Sequence, residues 1–172
     1  TIFYVIFLWI FGKIFPAYFF PELIVQKQHD FIGLALHEPS KSYFQPLPIQ
    51  PTILSLTIYS PLALFNAMFR PLLWNANGVL ELLAATESIF YYLLVLIILL
   101  FFRKKQIHPH AWLFLFFALL MFLLVGYTTP VSGAIVRYRV PALLFFAIFI
   151  GTLFDENKFL SFLLKIKFPW KK

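Results

Sequence analysis

The run VLELLAATESIFYYLLVLIILLFF, from Val79 to Phe102, constrains this chain more than any other feature. At a rise of about 1.5 Å per residue, about 20 apolar residues form a helix that crosses a bilayer. Two similar runs follow. AWLFLFFALLMFLLVGYTT, Ala111 to Thr129, is closed by Pro130, and Ala134 to Phe154 is closed by Asp155 and Glu156. Lipid offers the backbone no hydrogen bonds, so runs of this kind are helical or they are not in the membrane.

Composition agrees. The chain has 172 residues, is 62% hydrophobic and holds 24 phenylalanines. A soluble domain is about 45–50% apolar, and one this small could not hide the surplus from water. The expected fold class is an all-α membrane protein. It has about 3–4 transmembrane helices, a re-entrant or interfacial helical segment, and an amphipathic C-terminal helix. The spans fall at 79–102, 111–129 and 134–154.

The N-terminal run, residues 1–24, is interrupted by Lys13, Pro16 and Pro21. It reads as part of a spanning helix that bends onto the membrane surface. It lacks the basic start and small-residue cleavage site of a signal peptide. The expectation is that this is the C-terminal part of a longer polytopic protein.

Orientation follows from lysine and arginine. RKKQIHPH separates the first two clear spans, and the tail 155–172 carries Lys158, Lys165, Lys167, Lys171 and Lys172. Both belong in the cytoplasm, and two spans lie between them, so the assignments agree. In the tail, Phe159, Phe162, Leu163 and Ile166 recur at helical spacing opposite Lys158 and Lys165. A basic amphipathic helix of this kind lies on an anionic leaflet.

The opposite side then holds residues 25–78 and the short PVSGAIVRYR. QKQHDFIGLALHEPSKSYFQPLPIQP reads as an ordered loop. TILSLTIYSPLALFNAMFRPLLW is apolar but carries Pro61 and Pro71, which break helices. It reads as a re-entrant or surface-lying element.

Basic residues on this side oppose the topology bias and call for a partner. They are Lys27, Lys41, Arg70, Arg137 and Arg139, with Glu22, Asp30, Glu38, Glu81 and Glu87 as the nearby acids. In a continuous helix Arg137 and Arg139 stand about 200° apart and cannot share a partner. In an extended segment they share a face, and Pro141 disfavours helical geometry just before it. The extended reading is the one adopted, with a helix starting near Pro141. That helix, about 21 Å long, falls short of the ~30 Å hydrocarbon core. Arginines at span ends also snorkel to headgroup phosphates, which is the plain alternative.

Glu87 lies well inside a span, where an acid costs a few kcal/mol unless paired or solvated. It is expected to face protein and a basic or polar group. Lys27, His29 and Asp30 place a base, an imidazole and a carboxylate close together. His37 and Glu38 do not make a zinc-protease motif, because Lys41 stands where the second histidine belongs. No metal site and no cofactor are indicated. The chain has no cysteine, which excludes disulfides and thiol catalysis. No phosphate-binding loop or nucleophile elbow occurs. The net charge of +7 is first a topology signal, so no nucleic-acid partner is expected.

Four blocks carry a resemblance when taken in order: QKQHDFI, SPLALFNAMFRPLLW, LELLAATESIFYYLL and TTPVSGAIVRYRVPALLFF. Together they resemble the C-terminal half of a family of bacterial polytopic inner-membrane proteins associated with cell-surface polysaccharide and glycosyltransferase genes. The resemblance covers nearly the whole chain after Lys27. It implies further spans upstream, and an inner-membrane location, rather than a mechanism. In layout alone the chain is similar to lipid-linked glycan polymerases, ligases and polyprenyl-dependent glycosyltransferases, whose extracytoplasmic arginines hold a polyprenyl pyrophosphate. It lacks the paired acid motif that many of those show near the N-terminus.

Two functions follow as expectations. In the first, Arg70, Arg137, Arg139, Lys27 and His29 bind a lipid (pyro)phosphate, and Asp30 or Glu87 acts as general base in a sugar transfer. The partners are then membrane lipids and a polyprenyl-linked glycan. In the second, the chain is a non-enzymatic scaffold or accessory subunit among other membrane subunits.

Overall fold

The computed structural model describes residues 19–37, 42–76, 78–101 and 109–167. Expectations that rest on residues 1–18, Glu38, Lys41, the RKK stretch at 103–105, His108 and the last five residues lie outside them.

The described residues are mostly helical. The elements are α1 (Phe20–His37), α2 (Ile53–Phe69), a 3₁₀ turn (Leu73–Asn75), α3 (Val79–Leu100), α4 (Pro109–Thr128), α5 (Ser132–Tyr138), α6 (Val140–Thr152) and α7 (Glu156–Lys167). The all-α expectation holds. Two helices, α3 and α4, are long and apolar enough to cross a membrane, and α5 with α6 makes a third if that pair, bent by 53°, is one span.

Helix α4 is the axis of the packing, and α6, α2 and α1 lie against it. Three apolar layers run along it. At one end Tyr127 meets Ile24, Leu47, Ile49, Leu56 and Ala63. In the middle Phe122, Ala118 and Val125 meet Ala67, Ile135 and Ala142. At the other end Ala111 meets Phe149, Ile150 and Leu153. Small residues let the backbones close in. A Cβ on Gly126 would fall against the Ala63 carbonyl, so α2 and α4 touch main chain to main chain there. The order of these layers makes α2 antiparallel to α4.

Several expectations need correction. Residues 25–37 are the continuation of α1, not a loop. No proline interrupts the chain between Pro21 and His37, and the face of Ile24 and Gln28 is buried, so tertiary packing holds the segment helical. Pro61 does not break α2. A proline leaves the carbonyl four residues back without its usual donor. Here that carbonyl, Thr57 O, accepts from the Ser60 hydroxyl at 2.8 Å.

The Arg-Tyr-Arg segment is helical rather than extended. Arg139 has φ −78° and ψ −11°, its N–H donates to Ile135 O at 2.9 Å, and its carbonyl accepts from Leu143 N–H at 2.9 Å. These bonds carry the helix across the joint. Pro141 has no N–H for the Arg137 carbonyl, and that missing rung lies at the bend.

A connection threads the upper layer. Tyr43 and Val131 form an isolated antiparallel bridge, with Phe44 N–H to Pro130 O at 2.9 Å and Ser132 N–H to Ser42 O at 3.0 Å. This fixes residues 42–44 against the start of α5.

Candidate functional site

The centre of the polar architecture is Arg139, whose residue surface is 2% exposed. It sits at the bend between α5 and α6. Its Nη1 donates to Met68 O at 3.1 Å and to Arg70 O at 2.8 Å. Its Nη2 donates to the Ser88 hydroxyl at 2.7 Å. The last carbonyls of a helix lack intrahelical donors, and a guanidinium fork can serve two of them at once. One side chain therefore caps α2, holds α3 and marks the bend. Among the described residues the buried Nε of Arg139 has no partner.

Arg70 is engaged differently. Its Nε donates to Asn66 Oδ1 at 3.0 Å, and its guanidinium carbon stands 3.9 Å from the centre of the Phe44 ring. That is cation–π distance. Arg137 is exposed on α5. Its neighbour Tyr138 packs a ring 5.8 Å from Phe31 of α1. The three arginines thus take different environments: Arg139 is turned into the protein, Arg70 is stacked on a ring, and Arg137 is exposed. The expected shared cavity for Arg137 and Arg139 is not formed.

Glu87 also departs from expectation. It is exposed, not turned to the interior. It lies within electrostatic reach of Arg139 but makes no ion pair among the described residues. The residue that faces inward is the next one, Ser88, which is 2% exposed. On a helix of 3.6 residues per turn, adjacent positions point about 100° apart. The bundle takes Ser88, and Glu87 is left on the outer surface.

On α1, Lys27 Nζ and Asp30 Oδ2 pair at 3.2 Å on the surface. His29 is exposed beside them. The group is a surface cluster with an i,i+3 ion pair, worth little to stability. The consequential residue of that stretch is Gln28. It is 4% exposed, and its Nε2 donates to Leu47 O and Tyr127 O, each at 2.9 Å. Tyr127 in turn donates its hydroxyl to Leu56 O. Gln28, Asn66 and Ser88 escaped the reading of the sequence because uncharged polar residues carry no topology signal. The one available hint for Gln28 was its i,i+4 spacing from Ile24 on an apolar face.

A cavity of about 250 Å³ opens beside Pro48, Gln50, Thr52, Ser55 and Tyr59, with no arginine in its lining. Among the described residues no group of three or more histidine or acidic side chains is placed to hold a metal ion.

The fold and these contacts define an all-helical protein with two helices, or three with the bent pair, suited to crossing a membrane. The chain matches no protein-family model, no curated protein and no solved structure.

Proposed function

We propose that this chain is a non-enzymatic membrane subunit that presents α3 to further membrane helices of a larger assembly. Glu87 carries the reading. In α3 only 12% of the spanning window is buried, and Glu87 lies exposed on it. Leu83, Phe90 and Leu93 on the same helix are exposed as well, at 62%, 66% and 52%. Apolar side chains can face lipid without cost, but a carboxylate in hydrocarbon costs a few kcal/mol unless something covers it. Packing by another helix that supplies hydrogen-bond donors removes that cost.

The arginines fit a structural role within such a subunit. Arg139 spends its donors on Met68, Arg70 and Ser88. In this arrangement α2 is a re-entrant element that enters beside α4 and turns back at Arg70. Topology follows the basic residues, with the end of α3 and α7 cytoplasmic and Arg137 on the opposite side of a bacterial inner membrane. The test is the size of the particle extracted in mild detergent. A complex well above the 20.2 kDa chain is expected, and Glu87→Leu should reduce it. A wild-type protein that runs alone would sink the reading.

A second reading is favoured by one observation: Arg137 is exposed, free of any ion pair among the described residues. In it, the chain takes part in lipid-linked saccharide assembly, Arg137 with Arg70 gripping a lipid phosphate and Asp30 or Glu87 handling a proton. The block resemblance to polysaccharide-associated membrane proteins supports the same reading. Replacement of Arg137 by Gln should then abolish surface glycan at unchanged protein level. Normal glycan in that variant would count against it.

A further inference from the structure

We propose that α7 is an interfacial helix whose Leu160-bearing side is seated in an anionic phospholipid leaflet at the point where α3 ends. The structure fixes where α7 begins. The Asp155 N–H donates to Phe101 O at 3.0 Å, and Phe101 is the residue that closes α3. The Phe101 ring lies 5.3 Å from both Phe159 and Phe162, and Phe154 lies 5.5 Å from Phe159. If α3 crosses the bilayer, these contacts hold the first turns of α7 at the boundary between acyl chains and headgroups.

The start of the helix is stabilised locally. Asp155 Oδ1 accepts from Lys158 N–H at 3.2 Å, and Asp155 Oδ2 pairs with Lys158 Nζ at 3.6 Å. One free N–H of the first turn is thereby capped within the chain.

Two faces of α7 remain. Asn157, Lys158 and Ser161 are exposed and polar. Leu160, 54% exposed, stands about 160° around the helix from Lys158 and about 100° from Ser161. In the sequence Lys165 follows Lys158 by seven positions, and Leu163 and Leu164 follow Leu160 by three and four. Beyond Glu156 the chain has no further acid, and Lys158, Lys165, Lys167, Lys171 and Lys172 follow. The sequence after Phe101 adds Arg103, Lys104 and Lys105. An apolar face at the membrane boundary with excess positive charge is complementary to a leaflet of anionic headgroups. Position favours lipid over a soluble acidic partner, because the Phe101 contacts hold the start of α7 at the end of α3.

The test uses the full chain, whose lack of cysteine allows single labels. Spin labels at Leu160→Cys and Ser161→Cys are read in two kinds of vesicle: phosphatidylcholine alone, and an equal mixture with phosphatidylglycerol. In the mixed vesicles the label at 160 should collide with oxygen and be protected from an aqueous nickel chelate, and the label at 161 should do the reverse. In phosphatidylcholine alone, or with Lys158→Gln and Lys165→Gln together in the mixture, the label at 160 should lose part of that protection. Circular dichroism of each variant checks that the helices are retained. Equal nickel access at 160 and 161 in the mixed vesicles would overturn the proposal. So would protection at 160 that ignores both lipid charge and the lysines, since anionic lipid would then have no part in it.

Discussion

Ser88 accepts a hydrogen bond from Arg139 at 2.7 Å and donates one to the Ala84 carbonyl at 2.8 Å. One hydroxyl thus links α3 to the bend between α5 and α6. Through the same guanidinium, the link reaches the end of α2 at Met68 and Arg70. The side chain that looked in the sequence like a ligand-binding charge is a clasp between segments.

Replacing Arg139 by Lys should show this. Lysine keeps the charge but has no planar fork, so at least one buried acceptor loses its donor. The expected loss is about 1–3 kcal/mol for each buried group left without a partner. Thermal unfolding in detergent should fall for Arg139→Lys and further for Arg139→Ala. Arg137→Gln, at an exposed position, should stay within about 0.5 kcal/mol of wild type. Equal effects at 137 and 139 would contradict the clasp.

Gly126 and Gly33 make a matched pair. An added methyl at Gly126 meets the Ala63 main chain, whereas nothing lies within 4 Å of a Cβ at Gly33. Gly126→Ala should destabilise by about 1–3 kcal/mol through overpacking. Gly33→Ala should be neutral or gain up to about 1 kcal/mol from helix propensity. Melting curves of the two variants in one detergent decide it.

Much of the helical layout was legible in the apolar patterning. Apolar runs near the length of a bilayer carry one strong signal, and α3 and α4 follow from it. What the sequence obscured was the part set by packing between segments. Proline read as a breaker at Pro61, yet the Ser60 hydroxyl supplies the donor that proline lacks. Proline read as an extender before Pro141, yet the bonds through Arg139 keep the helix going past it. Charge misled in the same way. Arg70, Arg137 and Arg139 are alike in composition and proximity, and only the fold shows that Arg139 is turned inward while Arg137 is exposed. Glu87 and Ser88 are neighbours whose fates separate by one helical step.

Gln28 offers a third test. It joins α1 to the Leu47 connection and to the end of α4. Gln28→Leu removes the donor from the buried Tyr127 carbonyl, at about 1–3 kcal/mol, and leaves the Leu47 carbonyl with the Ile49 N–H alone. Proteolysis at residues 42–50 should accelerate in that variant. Asp30→Asn, which breaks only an exposed ion pair, should leave the rate unchanged. A protease-resistant Gln28→Leu protein would show that the connection is held by its apolar contacts alone.

The most direct test of the proposed role places a photoreactive side chain at Phe90, an exposed position on α3 one turn from Glu87, in native membranes. Irradiation should give a discrete protein adduct, and the same adduct should disappear when Glu87→Leu is introduced beside the probe. Adducts to lipid alone, or a protein adduct that persists in Glu87→Leu, would contradict a docking surface built around Glu87.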